Sequence, residues 1–464
     1  MMEYRIVHGR IYDPIQGVDG QERDVCIRNG RIVEACQGEI IDAKGCAVFP
    51  GGIDPHAHIA GAPLPLARQK GYACVPTPEE LGKGYLRMGY TLAVNAAVSG
   101  PLSAQTLLEE REIPSLDRLN LILGPQHASA GGGLPERLSG LLQHNGGYGI
   151  KSVAPHGGLE TAVALADAVE SMKLPHPLHL HHWGLGKPNA AAGIRETVEH
   201  MQGRRLHLAH LQFYAYGDNM ESAAEPLIKL LEQNPNLSAD AGLVYFGPAL
   251  ATTADVPVTR ELAEKLPPAL QYVDGENGFG ALPLQYSSKS YAGAMQFLIG
   301  LELMLCNSNP WQLTLSTDHP NGAPYLMYPR LLRLLSDEAA RRELFQTLPK
   351  KALSHSPVPG MMREFTPYEV AVITRAAPAR RLGLKHKGHL SPDADGDVAV
   401  YPIVNGRPDY AAARYVFKAG KLVVRDNRYL GDAPAHTLVL IYFYCITYFQ
   451  VRIITEFIQR DDTV

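Results

Sequence analysis

No C-x-x-C pair occurs in this 464-residue chain, and its six cysteines (Cys26, Cys36, Cys46, Cys74, Cys306, Cys445) are scattered, so neither a zinc ribbon nor a disulfide scaffold is expected. They read as reduced, mostly buried thiols. No apolar run approaches the ~20 residues a membrane helix needs. The apolar and aromatic stretch from Leu438 to Phe449 is shorter than that and reads as a buried strand or a contact with another subunit. The opening residues, Met-Met-Glu-Tyr-Arg-Ile-Val-His, lack the apolar core of a secretion signal, so a cytoplasmic location is expected. Neither sign of charge dominates: the formal net charge is −4, too small to draw the chain to phosphate backbones or anionic membranes, so nucleic acid is not an expected partner. No G-x-G-x-x-G follows a first strand, which removes the signature of a dinucleotide-binding fold.

What is present is the composition of a folded enzyme. Hydrophobic residues make up 45% and charged residues 19%, far from the balance that keeps a chain disordered. The length suits one large catalytic domain with a smaller one beside it. Short β segments fill the first fifty residues, and Asn29-Gly30 between two apolar runs predicts a two-residue hairpin, since both central residues of a type I′ turn need positive φ. The same grammar returns in Asp397-Val-Ala-Val-Tyr and in Tyr415-Val-Phe-Lys-Ala-Gly-Lys-Leu-Val-Val, so residues 1–49 and 385–430 are expected to build one small β-sandwich together. Between them, over 50–384, β-branched runs alternate with helical stretches. Strands are predicted at Thr91–Val94, Gly149–Val153, Leu178–His181, Leu206–His210, Leu237–Asp240 and Leu313–Asp318, and helices at Glu160–Lys173, Ala191–Gln202, Ser222–Gln233, Ala292–Leu305 and Leu331–Phe345. Repeated βα units of this kind predict an α/β fold, a (β/α)8 TIM-like barrel. Residues 431–464 are left as an apolar tail of unassigned role.

In such a barrel the working residues stand where strands run out into loops at the C-terminal face. Pro50-Gly-Gly-Ile-Asp-Pro-His56-Ala-His58 places two alternate histidines on one side of a strand, able to share a cation. Lys151 lies in the apolar strand Gly149-Ile-Lys-Ser-Val. Burial there would lower its pKa, and the neutral amine can react with carbon dioxide to give a carbamate with two oxygens, suited to bridge two cations. His181 and His210 lie nearest the ends of their strands; His179, His207 and His319 are expected to orient ligands or to stand in for them. Asp318, in Leu313-Thr-Leu-Ser-Thr-Asp-His-Pro-Asn-Gly, could bind metal and accept a proton from water. Each residue alone has a structural explanation: histidines on a solvated face, a lysine paired with a carboxylate, an aspartate capping a turn. Their order on successive βα units argues for a metal centre.

This ordered set resembles the amidohydrolase superfamily. The blocks Gly51-Gly-Ile-Asp-Pro-His-Ala-His-Ile-Ala-Gly, Gly147-Tyr-Gly-Ile-Lys, Ala209-His-Leu-Gln-Phe-Tyr-Ala-Tyr-Gly, Thr317-Asp-His-Pro-Asn-Gly-Ala-Pro and Thr374-Arg-Ala-Ala-Pro-Ala-Arg-Arg-Leu-Gly-Leu resemble the family of formylmethanofuran dehydrogenase A subunits, over about Met2 to Asn427. The resemblance implies that His56, His58, Lys151, His181, His210 and Asp318 hold two divalent cations, zinc by expectation, with a carboxylated Lys151 as the bridge. It implies hydrolysis or formation of an N-formyl amide on a methanofuran-type one-carbon carrier, Asp318 moving the proton, within a formyltransferase/hydrolase or formylmethanofuran dehydrogenase complex. The sequence departs from the family pattern after the strand histidine, where His181-His-Trp-Gly replaces a Cys-Asn-Asn stretch. Two other readings stay open: a cyclic amidohydrolase of the hydantoinase or dihydroorotase kind, and a subunit that keeps the barrel as a scaffold.

Overall fold

The computed structural model describes residues 3–267, 270, 272–274, 279–441 and 450–454. Eight parallel strands form a barrel: β1 (Gly52–Ala57), β2 (Tyr90–Val98), β3 (Asp117–Leu123), β4 (Gly149–Val153), β5 (Leu178–His181), β6 (Leu206–Leu208), β7 (Leu237–Asp240) and β8 (Leu313–Thr314), each hydrogen-bonded to the next. The ring closes beyond the end of β8, where Ala57 bridges His319 in parallel and the His58 N–H donates to the His319 carbonyl at 2.7 Å. Every residue of β1, β4, β5, β6 and β7 is buried, as strands covered on both faces must be.

The helices between them follow from local chemistry. Thr77 and Glu80 form a reciprocal capping box that starts Pro78–Arg87. Leu227, Ile228 and Leu231 turn one face of Ala224–Gln233 to the barrel. The predicted helices at 160–173, 191–202 and 292–305 are observed as Gly158–Ser171, Ala190–Met201 and Tyr291–Cys306. The stretch predicted as a single helix over 331–345 is two, Tyr328–Ser336 and Glu338–Phe345, because Asp337 takes extended backbone (φ −141°, ψ 101°) and its side chain accepts the Ala340 N–H as an N-cap.

A subdomain that the sequence pattern does not predict lies between β7 and helix Tyr291–Cys306. Strands Gly247–Thr253, Phe279–Tyr286 and Tyr272–Asp274 form an antiparallel sheet with Phe279–Tyr286 in the middle, and helix Val256–Glu264 packs with it. This cap sits across the C-terminal mouth of the barrel, held there by Leu250 N–H to the Pro320 carbonyl (3.0 Å) and Thr252 N–H to Asn321 Oδ1 (2.7 Å).

Both ends of the chain meet in two further sheets. One has the order Arg31–Val33, Val25–Arg28, Glu3–Val7, Glu39–Asp42; in the other, Val398–Val404 lies between Cys46–Pro50 and Tyr415–Lys418. A shared apolar core that includes Ile6, Ile27, Val48, Val400 and Phe417 packs them face to face. The expected hairpin is present: Arg28 pairs with Arg31 across Asn29 and Gly30, with φ of 52° and 81°. A buried ion cluster joins this sandwich to the barrel floor. Lys387 Nζ lies 2.7 Å from Asp117, at the start of β3, and 2.8 Å from both Asp395 and Asp397, while Lys418 Nζ lies 3.1 Å from Asp117 and 3.4 Å from Asp397.

The apolar tail enters the fold as β9 (Thr437–Ile441), paired in parallel with the first residues of β3, and its Leu438, Val439 and Leu440 are buried. The rest of the Leu438 to Phe449 run, from residue 442 on, lies outside the described residues, as does Cys445. Cys26, Cys36, Cys46 and Cys74 are buried free thiols. Among the described residues no helix is long and apolar enough to cross a membrane.

Candidate metal centre

Six side chains named from the sequence converge at the C-terminal mouth. The His56 Nε2 atom lies 3.0 Å from Lys151 Nζ and 3.3 Å from Asp318 Oδ1, and His58 Nε2 lies 3.2 Å from the same Asp318 oxygen. Next to them His181 Nδ1 and His210 Nε2 face each other at 2.9 Å. All six are buried. The strand histidines and lysine reach the mouth because alternate positions on β1, β4 and β5 point into the barrel. His210 and Asp318 get there differently. Their predicted strands stop early, at Leu208 and Thr314, and both residues take positive φ, 34° and 47°, in the turns that follow. The chain turns there instead of extending, which swings each side chain back toward the axis. The close passage beside His210 is kept by Gly242 (φ +63°), where a Cβ would meet the His210 Cβ at 2.3 Å.

The neighbours fix hydrogens as well as positions. His56 Nδ1 lies 2.9 Å from Asp240 Oδ2, and a carboxylate can only accept, so Nδ1 carries the hydrogen and the Nε2 lone pair faces Lys151 and Asp318. Asp240 also accepts the His210 backbone N–H (3.1 Å), the Ser316 hydroxyl and the His207 Nε2–H (3.2 Å). His207 Nδ1 lies 3.0 Å from Ser238 Oγ, and His179 bridges His56 (3.3 Å) and His176 (3.1 Å) below the mouth. His319 stands apart: its Nδ1 accepts the Tyr325 N–H at 3.3 Å, and its carbonyl closes the barrel. On the cap side, His181 Nε2 lies 3.2 Å from Asp255 Oδ2.

Burial favours the neutral forms of Lys151 and of His58, His181 and His210. Burial pushes the Lys151 ammonium down to about 8, against the pull of Asp318 and Asp240, and among the described residues it forms no ion pair, its hydrogen-bond partner being His56. Burial likewise lowers His58 to about 4 and His181 and His210 below their ordinary values. Burial alone would raise Asp318, but the facing His56 and His210 and the hydrogen bond from His58 hold it well below the carboxylate range. Neutral imidazoles at His58, His181 and His210 beside an anionic Asp318 suit a divalent cation. The donor spacings of 2.9–3.3 Å match the edges, about 3.0–3.4 Å, of polyhedra with metal–ligand bonds near 2.1 Å, so these residues fit divalent cations. His56, His58 and Asp318 form one metal-capable group, and His56, His179 and Asp240 another; in the second, the hydrogen bonds just described already engage the facing atoms. A third, Asp117, Asp395 and Asp397, is filled by the two lysines of the floor cluster.

Two participants are not singled out by the sequence pattern. Asp240 ends the predicted strand Leu237-Ser-Ala-Asp, and a carboxylate at a strand's C-terminal end is the signal that could have found it. Asp255 belongs to the cap, where no local pattern connects it with the barrel. A small cavity of about 70 Å³ opens beside Lys151, His58, His181, His210 and Asp318, roofed by Val258, Leu262 and other cap residues.

Comparison with known proteins agrees with this architecture. Residues 126–424 match the amidohydrolase family. The chain is 35% identical to the A subunit of the formyltransferase/hydrolase complex Fhc of Methylorubrum extorquens, covering 94% of this chain and 91% of that protein. It is 32% identical to FwdA of Methanocaldococcus jannaschii, covering 94% and 90%. Among solved structures, the FhcABCD formyltransferase/hydrolase complex from Methylorubrum extorquens with methylofuran superposes with a TM-score of 0.88 at 32% identity, covering 94% of this chain and 91% of the matched one. A D-hydantoinase structure aligns at TM-score 0.54 and 15% identity over 93% and 97%, a likeness of fold alone. This chain belongs to the amidohydrolase family, in the branch that holds FwdA and the Fhc A subunit, the family of formylmethanofuran dehydrogenase A subunits.

Proposed function

We propose that this protein hydrolyses, or in reverse forms, an N-formyl amide on a methanofuran-type carrier, giving formate and a free amine, as one component of a formyltransferase/hydrolase or formylmethanofuran dehydrogenase complex. The observation that carries the reading is the meeting of His56, His58, Lys151, His181, His210 and Asp318 within hydrogen-bond distances at one barrel mouth. The related complex bound to methylofuran supports the carrier and the partner subunits. These six residues would hold two divalent cations, and the nitrogen and oxygen donor set suits zinc. Lys151, buried and unpaired with any carboxylate among the described residues, is suited to add its neutral amine to carbon dioxide with loss of one proton, and the resulting carbamate would supply anionic oxygen ligands. When bound, the cations supply Lewis acidity toward the formyl oxygen and lower the pKa of water.

The chain's own groups do the rest. Asp318 accepts a proton as water adds to the formyl carbon, then returns it to the nitrogen as the C–N bond breaks, so formate and amine leave with atoms balanced. Asp240 keeps His56 in the tautomer that presents Nε2. The roofed cavity limits competing water. Changing Asp318→Asn should leave metal content largely intact and lower formyl-carrier hydrolysis by about 10²–10⁴-fold. Unchanged turnover in that variant would remove Asp318 from the mechanism, and ring-opening of a hydantoin or dihydroorotate in preference to the formyl amide would replace the substrate assignment.

A further inference from the structure

We infer that Asp255 is a positioning residue, carried by the cap, that sets the tautomer and ring orientation of His181. The inference rests on the reading above that His181 ligates metal. Asp255 stands outside the barrel as the N-cap of helix Val256–Glu264, and only 4% of it is exposed. The residue is held at two points: side-chain Oδ1 accepts the Val258 N–H at 3.2 Å, and the backbone N–H donates to Thr253 Oγ1 at 3.0 Å. That leaves Oδ2 facing His181 Nε2 at 3.2 Å. Because a carboxylate accepts and cannot donate, the hydrogen of His181 sits on Nε2. The lone pair is then on Nδ1, the nitrogen that faces His210 Nε2 across 2.9 Å. The other tautomer would aim a hydrogen at the place a cation takes.

His56 and His181 differ in where their orienting carboxylate comes from. His56 is held by Asp240, at the end of a barrel strand and fixed by the fold itself. His181 is held by a residue of the cap, the same element that places Val258 and Leu262 over the cavity. Asp255 thus ties the covering of the site to the ordering of one ligand.

Two substitutions separate this from a structural role. Asp255→Ser and Asp255→Asn each keep a helix N-cap, but serine is too short to reach His181, and asparagine, its one oxygen taken by the Val258 N–H, turns a donating NH2 toward His181 Nε2. Full-length chains stripped of metal are titrated with zinc in competition with a chelator. Asp255→Ser should bind one of its two zinc equivalents about 10–100-fold more weakly than the wild type, and Asp255→Asn at least as weakly, because its NH2 opposes the required tautomer. With limiting zinc, kcat should fall in Asp255→Ser and recover with excess zinc, while KM for the formylated carrier holds steady. Wild-type zinc affinity in both variants, which keep the cap but lose the acceptor, overturns the inference. Should Asp255→Ser fail to fold, Asp255→Thr caps in the same way and takes its place. A wild-type chain that takes up no zinc overturns the metal reading instead, and so the two failures are distinguishable.

Discussion

Asp318 and His210 hold a backbone conformation that L residues disfavour. At φ of 47° and 34° each sets its Cβ against its own carbonyl, a strain of roughly 1–2 kcal/mol that glycine would not feel. Both Asp318→Gly and Asp318→Ala delete the carboxylate, so their difference isolates the backbone. The glycine variant should be more stable by about 1 kcal/mol, read as a higher thermal midpoint; an alanine variant of equal or greater stability would show that the position is unstrained. The site is legible in the sequence where chemistry coincides with strand periodicity: His56 and His58 alternate at the end of β1, Lys151 interrupts an apolar strand, and His181 ends β5. The strained turns are not legible, because β propensity continues through Leu206–His210 and Leu313–Asp318 while the chain itself turns. Asp240 falls in a predicted strand, yet a single carboxylate there says nothing of the four groups that converge on it.

Among the elements, the cap is the one the sequence conceals. Pro248 and Pro283 interrupt the β pattern of its two longer strands, and nothing between β7 and Tyr291 carries the βα rhythm of the rest. Tertiary contact with the barrel mouth, which a local reading cannot see, gives it its place. The roofed cavity is small, about 70 Å³, and the cap residues Val258 and Leu262 line it, so the cap is placed to limit the acyl group. An acetyl amide on the same carrier should therefore be hydrolysed with a kcat/KM lower by about 10–200-fold than the formyl amide, the range a single added methyl commands in a tight pocket. Equal rates for the two amides would mean that the cap does not measure the acyl group.

For the molecule as a whole, the buried ion cluster on the barrel floor is the principal electrostatic joint. Burial of Lys387 works against its charge, but Asp117, Asp397 and Asp395 more than offset this and hold its pKa well above the ordinary lysine value. Asp117 and Asp397 are in turn held below the usual carboxylate range by Lys387 and Lys418, although burial opposes this. Removing the central cation with Lys387→Met should lower stability by about 3–5 kcal/mol in chemical denaturation near pH 7, because it strands buried carboxylates. The signs follow from linkage. Depressed carboxylates contribute above their unfolded pKa, near 4, and the contribution disappears as pH falls through their lower folded values; the raised lysine contributes below its unfolded pKa, near 10.5, and loses it only as pH climbs through the higher folded value. The gap between wild type and Lys387→Met should thus be flat from about pH 5 to 9 and shrink below about pH 4. A gap that widens in acid would contradict this account.

The way residues 46–50 and 398–404 lie side by side has a consequence for how the chain is made. Cys46–Pro50 is flanked on one side by Arg10–Asp13 and on the other by Val398–Val404, and each of its five residues is buried. Until ribosomal synthesis has passed the entire barrel, that second flank does not exist. An early strand with an apolar face then waits with an open edge, the situation that invites wrong pairing. Residues 46–50 are thus completed by a strand that lies beyond the whole barrel in sequence, and the nascent chain must shelter them until that strand is made.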